Sequence, residues 1–126
     1  MSEQIRIVIQ GRLPGLNELI ASWGRPWYIG EGIKKRASQQ VKLEIMAMRL
    51  KPFTKSIRVH FIWIERDKRR DRDNVTGGGS KVFMDAMKQI GLIKNDSRKW
   101  VEDITHDTTQ IDKTNPRVEV LITEVE

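Results

Sequence analysis

Two kinds of apolar spacing alternate along this chain, and their order limits the folds that it can adopt. Apolar residues recur at every second position from Ile57 to Trp63, which is the period of a β-strand with a buried face. From Ile33 to Met48 they recur at spacings of four and three, which is the period of an amphipathic helix. Taken along the chain, such segments predict the order strand, helix, strand, helix, strand, strand. This order favours an α/β fold, a single-domain two-layer sandwich with one mixed β-sheet and two helices.

The bounds of these elements follow from apolar spacing and from turn residues. The first helix carries the apolar stripe and ends near Leu50, before a proline. The second helix begins after Gly77-Gly78-Gly79, which we expect to break it from the preceding segment, with Ser80 as its N-cap. The expected strands are Gln4 to Gln10, Ile57 to Ile64, Trp100 to Thr109 and Arg117 to Val125.

A glycine- and proline-rich stretch from Arg12 to Gly32 is expected to form a long loop. It contains Trp23, Trp27 and Tyr28. Aromatic side chains in such a loop either stack on unpaired bases or cover an edge of the core, and the sequence leaves both interpretations open.

Composition limits the class of protein. The 126 residues fit one domain, residues 1–126, that is large enough for a hydrophobic core. There is no cysteine, so disulfides, thiol nucleophiles and cysteine-ligated zinc are excluded, and a cytoplasmic location is expected. No apolar run approaches the roughly 20 residues that cross a bilayer, and no secretory signal is recognised, so no membrane partner is expected.

Positive charge is concentrated in two clusters, which favours a polyanionic partner. The formal net charge is +6. One cluster is Lys34, Lys35 and Arg36. The other lies between residues 66 and 72 and includes Arg69, Arg70 and Arg72. We expect both clusters to contact phosphates without reading base sequence.

Two aspartates, Asp71 and Asp73, interrupt the second basic cluster. An isolated Asp-x-Asp most often neutralises neighbouring arginines on an exposed turn. In extended backbone, however, side chains two residues apart point the same way, so a strand end could present both carboxylates to one Mg²⁺ ion. Asp96 is the third candidate ligand, because a helix of about ten residues spans roughly 15 Å and could return the chain to the same place. Lys81, at the expected start of that helix, could place a cation near a phosphate.

Three segments in this order resemble a known family. They are Arg70-Asp71-Arg72-Asp73-Asn74-Val75, then Lys81-Val82-Phe83-Met84-Asp85-Ala86-Met87, then Gly91-Leu92-Ile93-Lys94-Asn95-Asp96. They resemble the RusA family of Holliday junction resolvases, which carries Arg-Asp-x-Asp-Asn-Leu, a lysine, Phe-Asp-Ala-Leu, a glycine and a terminal Asp-Asp. Pro14 to Asn17 and Gly30-Glu31-Gly32 echo the start of that family.

The resemblance implies an enzyme, a small homodimeric endodeoxyribonuclease, often of phage origin, that depends on Mg²⁺ and accepts Mn²⁺. Such an enzyme nicks two strands of a four-way junction in DNA recombination and repair. The resemblance assigns metal binding to Asp71, Asp73 and Asp96 and catalysis to these three and Lys81. Asn74 and Asp85 are expected to support the site, with Asp85 as an ion-pair partner.

This sequence departs from the family pattern at two places, and other interpretations compete with it. Thr76 to Gly79 resemble an insertion before Lys81, and Asn95 replaces the first acid of the Asp-Asp pair. The spacing fits neither an EF-hand nor a P-loop. His60 and His106 belong to no paired motif and are expected to be structural or solvated rather than catalytic. A non-catalytic basic DNA-binding protein is the main alternative, and an assembly protein without affinity for DNA is a third.

Overall fold

The computed structural model describes residues 4–11, 27–69, 72–95 and 97–125. In these ranges the order of elements is the expected one: β1 (Gln4–Gln10), α1 (Trp27–Ala47), β2 (Ile57–Ile64), α2 (Arg72–Gln89), β3 (Val101–Asp107) and β4 (Arg117–Glu124). The predicted α/β fold with two helices and a mixed sheet is therefore confirmed.

The four strands form one sheet in the order β1-β4-β2-β3. β4 is antiparallel to both of its neighbours, whereas β3 is parallel to β2. A parallel neighbour requires a long crossover, and α2 supplies it. We call the end of the sheet where β2 begins the Ile57 end, and the end where β2 finishes the Ile64 end.

The core lies between one face of the sheet and the two helices. Its centre is aromatic: the rings of Phe61 and Trp63 stack at 5.2 Å, and Phe83 of α2 meets Phe61 edge-on at 5.5 Å. All three side chains are almost completely buried. Burying one side chain of this size stabilises the fold by about 2–3 kcal/mol, which fixes α2 over the middle of β2.

Helix α1 differs from expectation at both ends. It begins at Trp27, so the predicted loop is wrong for residues 27–32, while residues 12–26 lie outside the described ranges. It ends at Ala47, and Met48, which the apolar spacing placed on the buried stripe, is exposed. The positive φ of Arg49, 52°, shows that the chain has left the helix there.

The prediction that Gly77 to Gly79 break the second helix is wrong. Helix α2 begins at Arg72 and contains Gly77, Gly78 and Gly79, so the glycines do not break it and Ser80 is not its N-cap. The Ser80 hydroxyl instead donates to the carbonyl of Thr76, one turn earlier. Gly78 and Gly79 are buried, whereas Gly77 is exposed. Packing against the rest of the fold outweighs the low helix propensity of glycine.

Within the described part of the chain, neither α1 nor α2 is both long enough and apolar enough to span a membrane.

Candidate nucleic-acid interface

Basic side chains collect at the Ile64 end of the sheet. Arg66, Lys68 and Arg69 follow β2 directly and are all exposed, with the Arg69 side chain 83% accessible. α2 starts at the same end, because its Phe83 lies over Phe61 and the residues before it run toward the end of β2. Arg72, the first residue of α2, therefore joins this basic end, although its side chain lies outside the described set.

The basic cluster of Lys34, Lys35 and Arg36 lies at the same end. The Gln40 side chain donates to the carbonyl of Gln10 at 2.6 Å, which anchors α1 at the last residue of β1. Lys35 and Arg36, both exposed, precede Gln40 by about one turn, or roughly 6–8 Å of helix rise. They project beyond the Ile64 end. The side chain of Lys34 is not among those described.

Asp67 partly neutralises this basic end. Its carboxylate lies 3.6 Å from Arg66 Nε and 3.7 Å from Arg69 Nε, and it accepts a hydrogen bond from the Arg69 backbone at 3.0 Å. These are loose ion pairs between exposed or half-exposed groups, and such pairs contribute little free energy. They hold the arginines near the surface without preventing contact with phosphate.

The acidic motif enters at this basic end, but its side chains are not described. Arg70 and Asp71 lie outside the described residues, as do the side chains of Asp73 and Asn74. The backbone of Asp73 is in the first turn of α2, so the expectation that Asp73 continues an extended strand is wrong. Two residues along a helix are about 200° apart around its axis, so their side chains do not point the same way. The first turn of a helix is also at the positive end of the helix dipole.

Lys81 is in the middle of α2 rather than at its N-terminus, which corrects the sequence prediction. Its side chain is 72% exposed and lies 3.7 Å from Asp85 Oδ2, while Lys88 Nζ lies 3.1 Å from Asp85 Oδ1. Along the helix axis Lys81 is about 12 Å from Asp73. In the structure the Lys81 ammonium pairs with Asp85, which lies toward the C-terminus of the helix and away from Asp73.

The residues on either side of Asp96 lie at the opposite end of the sheet. The Phe53 backbone N–H donates to the carbonyl of Leu92 at 3.0 Å, and that of Ile57 donates to Trp100 at 3.0 Å. Ser97 lies one turn before Val101, whose N–H donates to the Ser97 carbonyl at 2.8 Å. Asn95 and Ser97 are therefore at the Ile57 end.

The sequence analysis expected the helix to bring the chain back to the strand end near Asp73, but the described residues run to the opposite end of the sheet. From Asp73 to Gln89, the last residue of α2, the helix rises about 24 Å. Asp96 itself lies outside the described residues. Its described neighbours, Asn95 and Ser97, are at the Ile57 end, whereas the first turn of α2 is at the Ile64 end.

The sequence analysis missed a basic aromatic cluster at the Ile57 end. Lys94 Nζ lies 5.4 Å and Lys99 Nζ 5.9 Å from the ring of Trp100, within the range of cation–π contact. Arg98, beside them in the chain, is exposed. The signal was present in the sequence as three cations in the six residues before a tryptophan.

Both histidines make side-chain contacts within the sheet, which fits the expected structural role. Trp63 Nε1 donates to His106 Nδ1 at 2.9 Å, and His60 Nδ1 lies 2.6 Å from the Thr105 hydroxyl. Partial burial, with a smaller contribution from the charge of His60, lowers the pKa of His106 below 6.5. His106 is therefore neutral at pH 7, with Nδ1 as acceptor and Nε2 carrying the proton.

The described residues contain no group of three or more His, Cys, Asp or Glu side chains that could hold a metal ion. The candidate carboxylates, Asp71, Asp73 and Asp96, all fall outside that set. Three carboxylate oxygens suit Mg²⁺ or Mn²⁺ by chemistry, but one copy of the chain separates Asp73 from the neighbours of Asp96.

No protein-family model matches the sequence, and a comparison with curated proteins found no significant match. The family resemblance therefore remains a prediction that rests on the motif residues.

Proposed function

We propose that this protein is a Mg²⁺-dependent, structure-selective endodeoxyribonuclease that resolves four-way DNA junctions as a homodimer. The observation that carries the proposal is the meeting of both basic clusters with the start of α2 at the Ile64 end of the sheet. The resemblance of the surrounding motif to the RusA family supports the choice of reaction.

The residues have separate tasks in this proposal. Asp71, Asp73 and Asp96 hold the metal ion, for which Mn²⁺ can substitute. The bound ion would supply Lewis-acid stabilisation of the phosphate and a water molecule of lowered pKa. Lys81 donates to the non-bridging phosphate oxygens as negative charge develops on them. Asn74 and Asp85 orient these side chains.

Binding of DNA is assigned to exposed cations. In this proposal Arg69, Arg70, Arg72, Lys34, Lys35 and Arg36 contact the phosphate backbone of the branched DNA. Arg69, Lys35 and Arg36 are exposed in the structure. A cytoplasmic, phage-related role in recombination and repair is part of this proposal.

Cleavage of labelled DNA by the purified chain tests the function. We expect paired nicks in a four-way junction with Mg²⁺ or Mn²⁺, little cutting of a linear duplex of the same sequence, and none in excess chelator. Undiminished cutting in chelator would exclude the metal. Tight junction binding without any cutting in Mg²⁺ or Mn²⁺ would favour the non-catalytic DNA-binding alternative.

A further inference from the structure

An apolar groove lies between the C-terminal ends of the two helices. It has a volume of about 400 Å³, and its lining consists of Ile45, Met46, Arg49, Leu50, Ile90 and Leu92. Arg49 is the one charged side chain of this lining. The groove is at the Ile57 end of the sheet, because the Leu92 carbonyl accepts the Phe53 N–H in the segment that leads into β2.

Exposed apolar side chains extend the groove along α1. Leu43 is 68% exposed, Met46 59% and Met48 42%. Leu43 and Met46 are three residues apart and therefore neighbours on the surface of α1, and Met48 follows the end of the helix. Exposed apolar surface that is concentrated in this way marks an interaction site, and methionine side chains adapt to the shape of a partner.

Positive charge borders the groove. Lys42 precedes Met46 by one helical turn, so both lie on the same side of α1. Lys51 follows the lining residue Leu50 directly, and Lys51 is exposed. Among the described residues, neither Lys42 nor Arg49 forms an ion pair with an acidic side chain. The groove therefore combines an apolar lining with cations that have no acidic partner in that part of the chain.

This combination identifies the kind of partner. A second copy of the chain at this face would bring the cations of both grooves together, and each copy carries a net charge of +6. DNA phosphates would pair with the cations but would leave the apolar lining uncovered. An amphipathic helix with acidic flanks meets both requirements, because its apolar side chains recur at spacings of three and four and fit a groove.

We infer that this groove binds an acidic amphipathic helix of a partner protein. The apolar face of that helix packs on Met46, Leu50 and the other apolar lining residues, and its carboxylates pair with Arg49 and Lys42. The groove is at the opposite end of the sheet from the basic Ile64 end. The inference therefore does not rest on the proposed function.

The backbone of Arg49 offers a variant that separates binding from folding. Its φ is 52°, and it is the one non-glycine residue with a positive φ in the described ranges. Its N–H donates to the Met46 carbonyl at 3.1 Å, which closes the turn after α1. Glycine adopts this conformation without steric cost, whereas arginine does not. We expect Arg49→Gly to weaken binding of the acidic helix without lowering the urea midpoint.

A synthetic peptide tests the inference with the full chain. The probe is a fluorescein-labelled peptide of about 18 residues, or five helical turns, with leucines at spacings of three and four and glutamates on both flanks. Fluorescence anisotropy should show saturable binding, with a Kd on the order of micromolar that rises with salt. A peptide with lysines in place of the glutamates, and one of the same composition without the amphipathic spacing, should bind at least about tenfold more weakly.

Substitutions in the groove should change this binding selectively. Met46→Asp and Arg49→Glu should each weaken binding of the acidic peptide by at least about tenfold, and Arg49→Glu should strengthen binding of the lysine peptide. The matched controls are Ile111→Asp and Lys113→Glu, which alter an exposed apolar residue and an exposed cation between β3 and β4. Both controls should bind the acidic peptide as the parent does.

Methionine methyl signals in NMR spectra locate the bound peptide. Met46 and Met48 are exposed beside the groove, whereas Met84 and Met87 are buried in the core. The acidic peptide should shift the signals of Met46 and Met48 and leave those of Met84 and Met87 in place. Absence of saturable peptide binding, or binding that Met46→Asp and Arg49→Glu leave unchanged, would overturn the inference.

Other occupants of the groove would give different results, and each of these would also overturn the inference. Shifts of Met46 that depend on protein concentration without peptide, together with sedimentation as a dimer, would assign the face to a second copy. Shifts of Met46 with duplex DNA but not with the peptide would assign it to nucleic acid. Saturable binding of dodecanoate without binding of the peptide would assign it to a small amphiphile.

Discussion

The indole N–H of Trp63 donates to Nδ1 of His106, joining the buried end of β2 to the open edge strand β3 at 2.9 Å. The His106 ring also stacks on Phe61, 5.4 Å between centroids. The hydrogen bond requires an unprotonated Nδ1, so the contact favours neutral histidine and makes the packing of β3 on β2 sensitive to pH.

Acid should therefore weaken the fold through His106. Its pKa is lowered in the folded protein, whereas the unfolded chain takes up this proton near 6.5, so the folded state binds fewer protons between the two values. The stabilisation is present above pH 6.5 and is lost as the pH falls toward the lowered pKa. We expect urea midpoints to decrease from pH 7 to pH 5 in the parent and to decrease less in His106→Gln.

Titration of the His106 ring by NMR gives a second readout. Trp63→Phe should raise its pKa toward 6.5, because the hydrogen bond to Nδ1 is lost while an aromatic ring remains. An unchanged pKa in that variant would show that burial alone keeps His106 neutral.

The glycines of α2 give a prediction about stability. Gly77 is exposed in the helix, so Gly77→Ala should stabilise the protein by about 0.5–1 kcal/mol through helix propensity. Gly78 and Gly79 are buried, and a methyl group added at either position has to fit into packed surroundings. We expect Gly78→Ala and Gly79→Ala to lose this gain in urea unfolding at pH 7. Equal stabilisation by all three changes would show that the buried glycines serve no packing role.

The spacing of apolar residues predicted the strands and helices well where that spacing reflects burial in the core. The alternation from Ile57 to Trp63 gave β2 to the residue, because each inward side chain packs in the core. Gly77 to Gly79 misled the prediction, because propensity describes an isolated helix and α2 is held by tertiary packing. The early start of α1 was missed because Gly30 and Gly32 indicate a loop, although Ile29 continues the four-residue apolar spacing of the helix.

The candidate site was harder to predict, because it depends on where each helix ends. Lys35, Arg36, Arg66 and Arg69 are grouped because α1 begins, and β2 finishes, at the same end of the sheet, which the sequence does not state. The sequence prediction also placed Asp96 at the wrong end of the sheet for its described neighbours. It assumed a helix of about ten residues, whereas α2 has 18 and runs from one end of the sheet to the other.

Lys81 should affect catalysis more than binding. The glycines lie within the helix, so any movement of Lys81 toward phosphate comes from its own exposed side chain, held by a 3.7 Å ion pair with Asp85. A lysine that acts on transition-state charge contributes little to ground-state affinity. We expect Lys81→Ala to lower single-turnover cleavage by at least tenfold more than junction affinity.

Lys88→Ala is the matched control for Lys81, because Lys88 pairs with the same aspartate and lies about two turns farther from Asp73. Its cleavage rate should stay near that of the parent. Equal losses of rate and affinity in Lys81→Ala would instead make Lys81 an ordinary phosphate contact.

Asp73 offers the sharpest separation of binding from cutting. Asp73→Asn keeps the shape of the side chain but removes a negative charge from the first turn of α2, at the end of the sheet where the basic residues collect. DNA phosphate should then be bound as tightly as before or more tightly, since one repulsive charge is gone. Cleavage in Mg²⁺ should be abolished, because asparagine is a poor ligand for a hard cation in this position.

The measurement compares junction binding in Ca²⁺ with nicking in Mg²⁺ for the parent and the variant. Asp67→Asn is the matched control, because Asp67 is an acid at the same basic end that pairs with Arg66 and Arg69. It should change affinity modestly and leave the cleavage rate almost unchanged. If Asp73→Asn cuts at nearly the parental rate, Asp73 does not bind the metal ion. Its role would then be to pair with neighbouring arginines, as Asp67 does.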